Sequence, residues 1–209
     1  MVVFQLGAGS ALPIITILQR ALLRKEERVP TVSTRLHLML TDYNLRVLEV
    51  ATIPNMFLTW AMSPNSKTRD ELEISPLSKT SFLESLASCG ITISALSGGW
   101  STQFQEVLMS KVNLTEKSTV LILASETIYS PDSLQSFAEV VMSVLQAAKR
   151  KGLPASALVA AKRVYFGVGG GIDDLLAVLG GLGGYGQLVW QSDKEGVGRA
   201  IVEVRTADA

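Results

Sequence analysis

The chain has 209 residues, of which 47% are hydrophobic, and its 19 basic and 19 acidic side chains balance to a formal net charge of zero. This length and composition predict one globular domain, residues 1–209, with a sizeable core. The neutral balance shows no electrostatic footprint for nucleic acid, and the single cysteine excludes an internal disulfide.

The first predicted element is a short strand that ends in a glycine turn. The apolar run Val2–Leu6 leads into Gly7-Ala8-Gly9, and a helix is predicted over Leu12–Leu23 with a proline in its first turn. The two glycines allow a sharp turn and leave room for a ligand beside the main chain. This pattern indicates the start of a βαβ nucleotide or cofactor fold.

The second predicted strand, Arg35–Thr41, ends in Asp42, and Asn44 follows two residues later. A carboxylate at the tip of this strand commonly holds ribose hydroxyls. Leu12 stands where the dinucleotide fingerprint needs its third glycine, and the sequence contains no GxxxxGK[ST] phosphate loop. S-adenosylmethionine therefore fits the pattern better than NAD.

The next segment contains helices and one polar stretch. A helix is predicted over Val47–Trp60, interrupted at Pro54 because proline lacks the backbone N–H. Residues 63–79 are polar and carry two prolines, which predicts a surface insertion. A short helix is predicted over Phe82–Cys89.

Strands and helices then alternate to the end of the sequence. Strands are predicted at Ile91–Leu96, Thr119–Ala124, Ala157–Lys162, Gly186–Gln191 and Arg199–Arg205, and helices at Phe104–Val112, Ser133–Lys151 and from Asp173 onward. Gly196-Val197-Gly198 predicts a tight antiparallel connection between the last two strands. The fold class predicted is α/β: a doubly wound, Rossmann-like, mostly parallel sheet of about seven strands with a C-terminal antiparallel hairpin.

Suggestive residues fall at the carboxyl ends of these strands, where such sheets bind ligands. They are Gly7 with Gly9, Asp42, Gly99-Trp100, Ser125-Glu126 and Gly169–Gly171. Each has a plainer interpretation: Trp100 as core, Glu126 as a solvated acid, nearby Tyr129 as a packing aromatic, the glycines as turns. Because all five lie at one edge, a ligand site is the better hypothesis.

Other parts of the sequence argue against a metal site, a cysteine nucleophile, a signal peptide and a membrane span. The only histidine, His37, falls inside a strand, and Cys89 has the pattern of a core cysteine, so we expect neither a metal site nor a cysteine nucleophile. No signal peptide is evident, and the apolar window Leu175–Trp190 is short and rich in glycine, so we expect no membrane span. Since Val2 already belongs to the first strand, we expect a chain truncated before that strand.

Six motifs carry a family resemblance. In this order, LGAGSALP, LTDYN, TIPN, SGGW, ASETIYSPD and KRVYFGVGGG resemble the histidine protein methyltransferases. That family belongs to the class I, seven-stranded, S-adenosylmethionine-dependent protein methyltransferases. The resemblance spans nearly the whole chain, and SETIY and YFGVGGG are its most specific pieces.

The resemblance implies a complete set of site residues. Cofactor binding is implied for Gln5, Gly7, Gly9, Asp42, Asn44, Gly98, Gly99, Trp100 and Ser125. Glu126 and Tyr129 occupy the family's acid-x-x-Tyr motif near the transferring methyl, which makes them the catalytic candidates. Phe166, Gly169 and Gly170 are implied at the substrate. Gln5 departs from the family, which usually has an acid there for the donor's ammonium group, and the family's long segment before the first strand is absent.

The resemblance also implies the substrate: one histidine of a large-subunit ribosomal protein, methylated on a ring nitrogen. With it we expect a cytoplasmic and nuclear protein, a monomer, without direct nucleic-acid or membrane partners. A neutral imidazole is already nucleophilic, so the enzyme must align nucleophile and methyl and hold one ring N–H. We assign that N–H acceptor to Glu126 or Tyr129.

Three alternatives stay open. A methyltransferase of the same fold acting on lysine or a small molecule would differ chiefly at Phe166–Gly171. A nicotinamide oxidoreductase fits less well because of Leu12. A non-catalytic binding or assembly module is supported by Gln5 and by the missing N-terminal segment.

Overall fold

A computed structural model describes residues 1–24, 35–63, 74–165, 170–192 and 198–207. Its seven strands are β1 (Val2–Leu6), β2 (Leu36–Asp42), β3 (Ile91–Ser97), β4 (Val120–Ser125), β5 (Ala155–Lys162), β6 (Gly184–Gln191) and β7 (Arg199–Thr206). They form one sheet in the order β3-β2-β1-β4-β5-β7-β6. Two consecutive pairs, β3 with β4 and β5 with β6, are not neighbours, and the crossover from β3 to β4 is the chain reversal of a doubly wound sheet.

Strand directions confirm the predicted sheet. β1 to β5 run parallel, whereas β7 is antiparallel to both β5 and β6. Since Lys162 at the end of β5 pairs with Arg199 at the start of β7, the first residue of β7 lies at the edge where the parallel strands end. That edge is where ligands bind in open α/β sheets.

Helices cover both faces of the sheet. They are α1 (Leu12–Arg24), α2 (Leu45–Val47), a π-helical turn (Leu48–Thr52), α3 (Ile53–Ala61), α4 (Pro76–Ser88), α5 (Thr102–Ser110), α6 (Pro131–Arg150) and α7 (Ile172–Gly181). Along β1, Phe4 and Leu6 pack with α5–α7, and Val3 packs with α1, α3 and α4. Within the described ranges no helix is both long and apolar enough to cross a bilayer.

Helix α4 begins earlier than the sequence pattern predicts, at Pro76 rather than Phe82. Ser75 and Ser78 form a capping box: the Ser78 N–H donates to Ser75 Oγ (3.2 Å) and the Ser75 N–H to Ser78 Oγ (2.9 Å). Residues 76–79 of the predicted surface insertion therefore belong to a helix. Residues 64–73 lie outside the described ranges.

His37 lies in the first half of β2, where it pairs with Val2, away from the edge where the parallel strands end. Its Nε2 is 3.0 Å from Ser94 Oγ, and burial lowers the pKa of His37 below 6.5. Because the fold favours the neutral ring, His37 contributes stability that is complete above pH 6.5 and lost as pH falls through the lowered pKa.

We expect the His37 Cε1 proton to titrate in ¹H NMR with a midpoint below 6.5. The chain has one histidine, so the signal is unambiguous. The same proton in urea-unfolded chain should titrate near 6.5 and serves as the control. A folded-state midpoint at or above the unfolded one would contradict the burial argument.

Candidate active site

The turn after β1 has the backbone shape that its glycines predict. Gly7 has a φ of +64°, a left-handed conformation that side chains disfavour. A Cβ built on Gly7 would lie 2.7 Å from the methyl carbon of Thr127, which follows β4, so the turn and the β4 loop touch there. A Cβ built on Gly9 meets nothing within 4 Å, so the turn borders open space on that side.

Asp42 fixes this turn from the end of β2. Its Oδ2 accepts the N–H of Gly9 at 3.0 Å, and its Oδ1 accepts the N–H of Asn44, also at 3.0 Å. Each carboxylate oxygen has a second lone pair that a ligand hydroxyl could use. Asn44 caps α2 by accepting the Arg46 N–H, so it shapes the loop around Asp42.

Two residues that sequence reasoning gave no role also hold the turn. The Thr52 hydroxyl donates to Gly9 O (2.6 Å), and Asn55 Nδ2 donates to Ser10 O (2.9 Å). Thr52 closes the π-helical turn Leu48–Thr52, a geometry frequent at functional sites. They are the first and last residues of the TIPN motif, and their spacing of three places both on one helix face.

Gln5 does not face the turn's open side. It is 1% exposed, its Oε1 accepts the Ile14 N–H of α1 (3.1 Å), and its Nε2 donates to Ala8 O (3.3 Å). Its amide therefore satisfies backbone groups that would otherwise be buried without partners. Through these contacts Gln5 positions the glycine turn against α1.

The loop after β3 carries three predicted site residues, Gly98, Gly99 and Trp100, and only the two glycines lie near Asp42. The Gly98 N–H donates to the Asp42 carbonyl (3.1 Å), and Gly99 lies against the exposed ring of Tyr43. Both glycines therefore lie beside Asp42. Trp100 is half-buried and packs on Phe137 of α6, with ring centroids 5.1 Å apart, so its indole is largely part of the core.

A second group of polar side chains lies where β4, β5 and β7 meet. Glu126 Oε2 accepts the Tyr165 hydroxyl at 2.8 Å, and Glu126 Oε1 is 3.8 Å from Arg199 Nε. Glu126 has a φ of +56°, which is uncommon outside glycine and marks a constrained position. Tyr165 and Arg199 were not predicted as site residues. They meet Glu126 only because the topology brings three strand ends together.

The Tyr165 hydroxyl remains protonated across the physiological range. Burial, together with the hydrogen bond to Glu126, raises the pKa of Tyr165 to about 12. The protonated form thus contributes stability that is present below the ordinary tyrosine pKa of about 10 and lost as pH rises toward 12. At neutral pH the hydroxyl can only donate to the carboxylate.

The other predicted residues lie around Glu126, with two exceptions. Ser125 is exposed at the end of β4, and Tyr129 is 54% exposed. A Cβ on Gly170 would lie 2.6 Å from the Ile128 carbonyl oxygen, so Gly170 lies directly against the backbone beside Tyr129. Phe166 and Gly169 lie outside the described residues.

The edge offers two separate carboxylates with different surroundings: Asp42 accepts from backbone amides, and Glu126 lies beside a hydroxyl and a guanidinium. Thr127 lies between the two groups, and its buried hydroxyl has no partner among the described residues. Across the described ranges no three His, Cys, Asp or Glu side chains lie close enough to hold a metal ion.

Comparison with curated proteins gives several relatives. Histidine protein methyltransferase 1 of Saccharomyces cerevisiae is 34% identical over 196 residues, covering 85% of this chain and 48% of that protein. The protein of the same name from Schizosaccharomyces pombe is 34% identical over 174 residues, covering 81% of this chain and 46% of its own length. The chain thus spans about half the length of the relatives it matches. No family model matches the chain.

Among solved structures, the magnesium protoporphyrin IX methyltransferase of Synechocystis PCC 6803 with bound SAH aligns with 99% of this chain and 73% of its own, at 10% identity and a TM-score of 0.47.

Proposed function

Because the chain is homologous to the histidine protein methyltransferases over most of its length, we propose that it is an S-adenosylmethionine-dependent protein-histidine N-methyltransferase. The observation that supports this best is the bond from the Gly9 N–H to Asp42 Oδ2 (3.0 Å) at the carboxyl edge of the sheet. It joins the two motifs that a nucleoside-containing donor needs, a glycine turn and a carboxylate for ribose hydroxyls.

The described residues fit such a donor. The turn faces open space at Gly9, and both Asp42 oxygens keep acceptor capacity. We assign the ribose hydroxyls of the donor to Asp42. The protein backbone at Gly7 and Gly9 would contact the rest of the donor, and Gly98 and Gly99 lie beside this site. When bound, S-adenosylmethionine would supply a methyl group on a sulfonium: a ring nitrogen would attack the methyl carbon in line while the C–S bond breaks, and the neutral thioether S-adenosylhomocysteine would leave.

Glu126 is the group best placed to orient the accepting imidazole. Its side chain is 42% exposed, so a substrate side chain can reach it. An N–H of the neutral imidazole would donate to the carboxylate, which directs the other ring nitrogen toward the methyl. The methylated ring then carries one positive charge and releases its N–H proton at this carboxylate or to water.

The finer assignment follows the family resemblance. We propose that the accepting histidine belongs to a large-subunit ribosomal protein and that the protein works in the cytoplasm and nucleus as a monomer. The similarity of sequence motifs supports this, chiefly SETIY and YFGVGGG.

The test begins with isothermal titration of the purified chain with S-adenosylmethionine, with NAD in a parallel cell. Saturable binding of S-adenosylmethionine, with no binding of NAD, supports S-adenosylmethionine as the methyl donor. Transfer of a tritiated methyl group to purified large-subunit proteins, followed by mass spectrometry of the labelled peptide, then identifies the residue. Label on lysine would make it a lysine methyltransferase. Donor binding without any product would make it a binding module.

We expect Glu126→Gln to lower the transfer rate about 10- to 100-fold, because an amide holds the imidazole N–H less strongly than a carboxylate does. Donor affinity should change less than threefold. Glu139→Gln on α6, an exposed acid that accepts from Gln135, is the matched control. Unchanged rate and unchanged ring-nitrogen selectivity in Glu126→Gln would remove Glu126 from this role.

A further inference from the structure

The carboxylate of Glu126 is held in one orientation by Tyr165, which opens the YFGVGGG motif but has no role among the implied site residues. Tyr165 follows β5, and its hydroxyl donates to Glu126 Oε2 at 2.8 Å while accepting the backbone N–H of Lys162 at 3.3 Å. Both hydrogen-bonding functions of the hydroxyl are thus used. The direction of the bond to Glu126 is fixed as a result.

The Tyr165 ring is itself anchored. It packs against the larger core cluster, and Lys162 Nζ lies 5.5 Å from the ring centroid. Val164, which precedes the tyrosine, forms an isolated antiparallel bridge with Gly171. An aromatic side chain with two rotatable bonds, held at both ends, gives the carboxylate a rigid partner.

The two oxygens of Glu126 therefore differ. Oε2 is occupied by Tyr165, whereas Oε1 has, among the described residues, only the Arg199 guanidinium at 3.8 Å, too long for a hydrogen bond. Oε1 is thus the oxygen of Glu126 that accepts no hydrogen bond among the described residues, and both of its lone pairs can serve a ligand.

We propose that Tyr165 is a positioning residue: its hydroxyl fixes the Glu126 carboxylate so that Oε1 accepts the imidazole N–H of the substrate. This rests on the proposed function. Tyr165 acts through Glu126 and does not itself touch the reacting atoms. It selects which ring nitrogen faces the methyl by restricting the direction from which the other nitrogen can donate.

The test compares wild type, Tyr165→Phe and Tyr185→Phe. The control Tyr185 is exposed on β6 and pairs with Arg205, at the end of β7 away from Arg199. We expect Tyr165→Phe to lower kcat about 5- to 50-fold with KM for the donor within twofold. We also expect it to yield both ring-nitrogen isomers of methylhistidine where the wild type yields one. Tyr185→Phe should match the wild type.

The hydrogen bond between Tyr165 and Glu126 can also be tested without measuring catalysis. The difference between the ultraviolet pH titrations of wild type and Tyr165→Phe should show one phenol ionising at about pH 12, and Glu126→Gln should shift that midpoint downward. A midpoint unaffected by Glu126→Gln would overturn the contact.

The activity outcomes separate the two proposals. If the wild type methylates histidine and Tyr165→Phe does so at the same rate and with a single isomer, the role of Tyr165 is overturned and the proposed function stands. Loss of donor binding equal to the loss of kcat would make Tyr165 merely structural and also overturns it. No transfer by the wild type to any histidine overturns the proposed function and this role together.

Discussion

Replacing Asp42 with alanine is expected to weaken binding of S-adenosylmethionine at least 100-fold. The carboxylate makes two bonds to backbone N–H groups, on Gly9 and Asn44, and is proposed to accept ribose hydroxyls as well. Hydrogen bonds to charged groups contribute about 1.5–3 kcal/mol each. Loss of two to the donor alone amounts to about 3–6 kcal/mol, before any loosening of the turn is counted. Isothermal titration measures the effect directly.

Two further variants make the Asp42 experiment specific. Asp42→Asn keeps an acceptor of the same shape without charge and should lose less affinity than the alanine variant, about 10-fold. Glu116→Ala removes an exposed acid in the loop before β4 and should leave affinity unchanged. Folded Asp42→Ala chain that binds the donor within threefold of wild type would refute the assignment of the ribose to this carboxylate.

The second large effect is expected at Gly7, where alanine should lower the free energy of unfolding by about 2–5 kcal/mol and abolish donor binding. A left-handed conformation costs a side chain about 1–2 kcal/mol, and overpacking adds about 1–3 kcal/mol. Both apply at Gly7, because its φ is +64° and its Cβ would lie 2.7 Å from the Thr127 methyl carbon. Thr127 is buried and β-branched, so it has little freedom to move aside.

The chain offers a matched control for the Gly7 variant. Gly152, just after α6, has a φ of +67° but nothing within 4 Å of a built Cβ. Gly152→Ala should therefore cost only about 1–2 kcal/mol. Urea unfolding of both variants isolates the steric part, and Thr127→Ser, which removes the methyl and keeps the hydroxyl, should recover part of the Gly7→Ala loss. Equal losses at the two glycines would rule out the close approach.

The sheet and its ligand-binding edge could be predicted because they depend on local patterns. β4 is a run of apolar residues bounded by polar ones, as a central parallel strand should be, and Gly7 marks the end of β1. Helix α6 follows from its regular apolar stripe. These signals lie within a few residues of each other, so no knowledge of the tertiary fold is needed.

The features of the site that the sequence did not predict depend on contacts between residues far apart in the chain. The link between Glu126, Tyr165 and Arg199 arises because β7 inserts beside β5, and no spacing in the sequence encodes it. Gln5 shows the reverse case: its position in the motif suggests a ligand contact, whereas its side chain turns into the face covered by α1. Pro54 did predict an irregular helix, but not that the preceding turn would be π-helical and would place Thr52 on Gly9.

The position of β7 has a consequence for how the chain folds during synthesis. β7 is the last strand in chain order, yet it lies inside the sheet between β5 and β6. An unpaired strand edge can template aggregation. Because β5 pairs with β7 and not with β6, its outer edge has no native partner until β7 has been made. The native sheet can therefore be completed only after the last of these strands is synthesised.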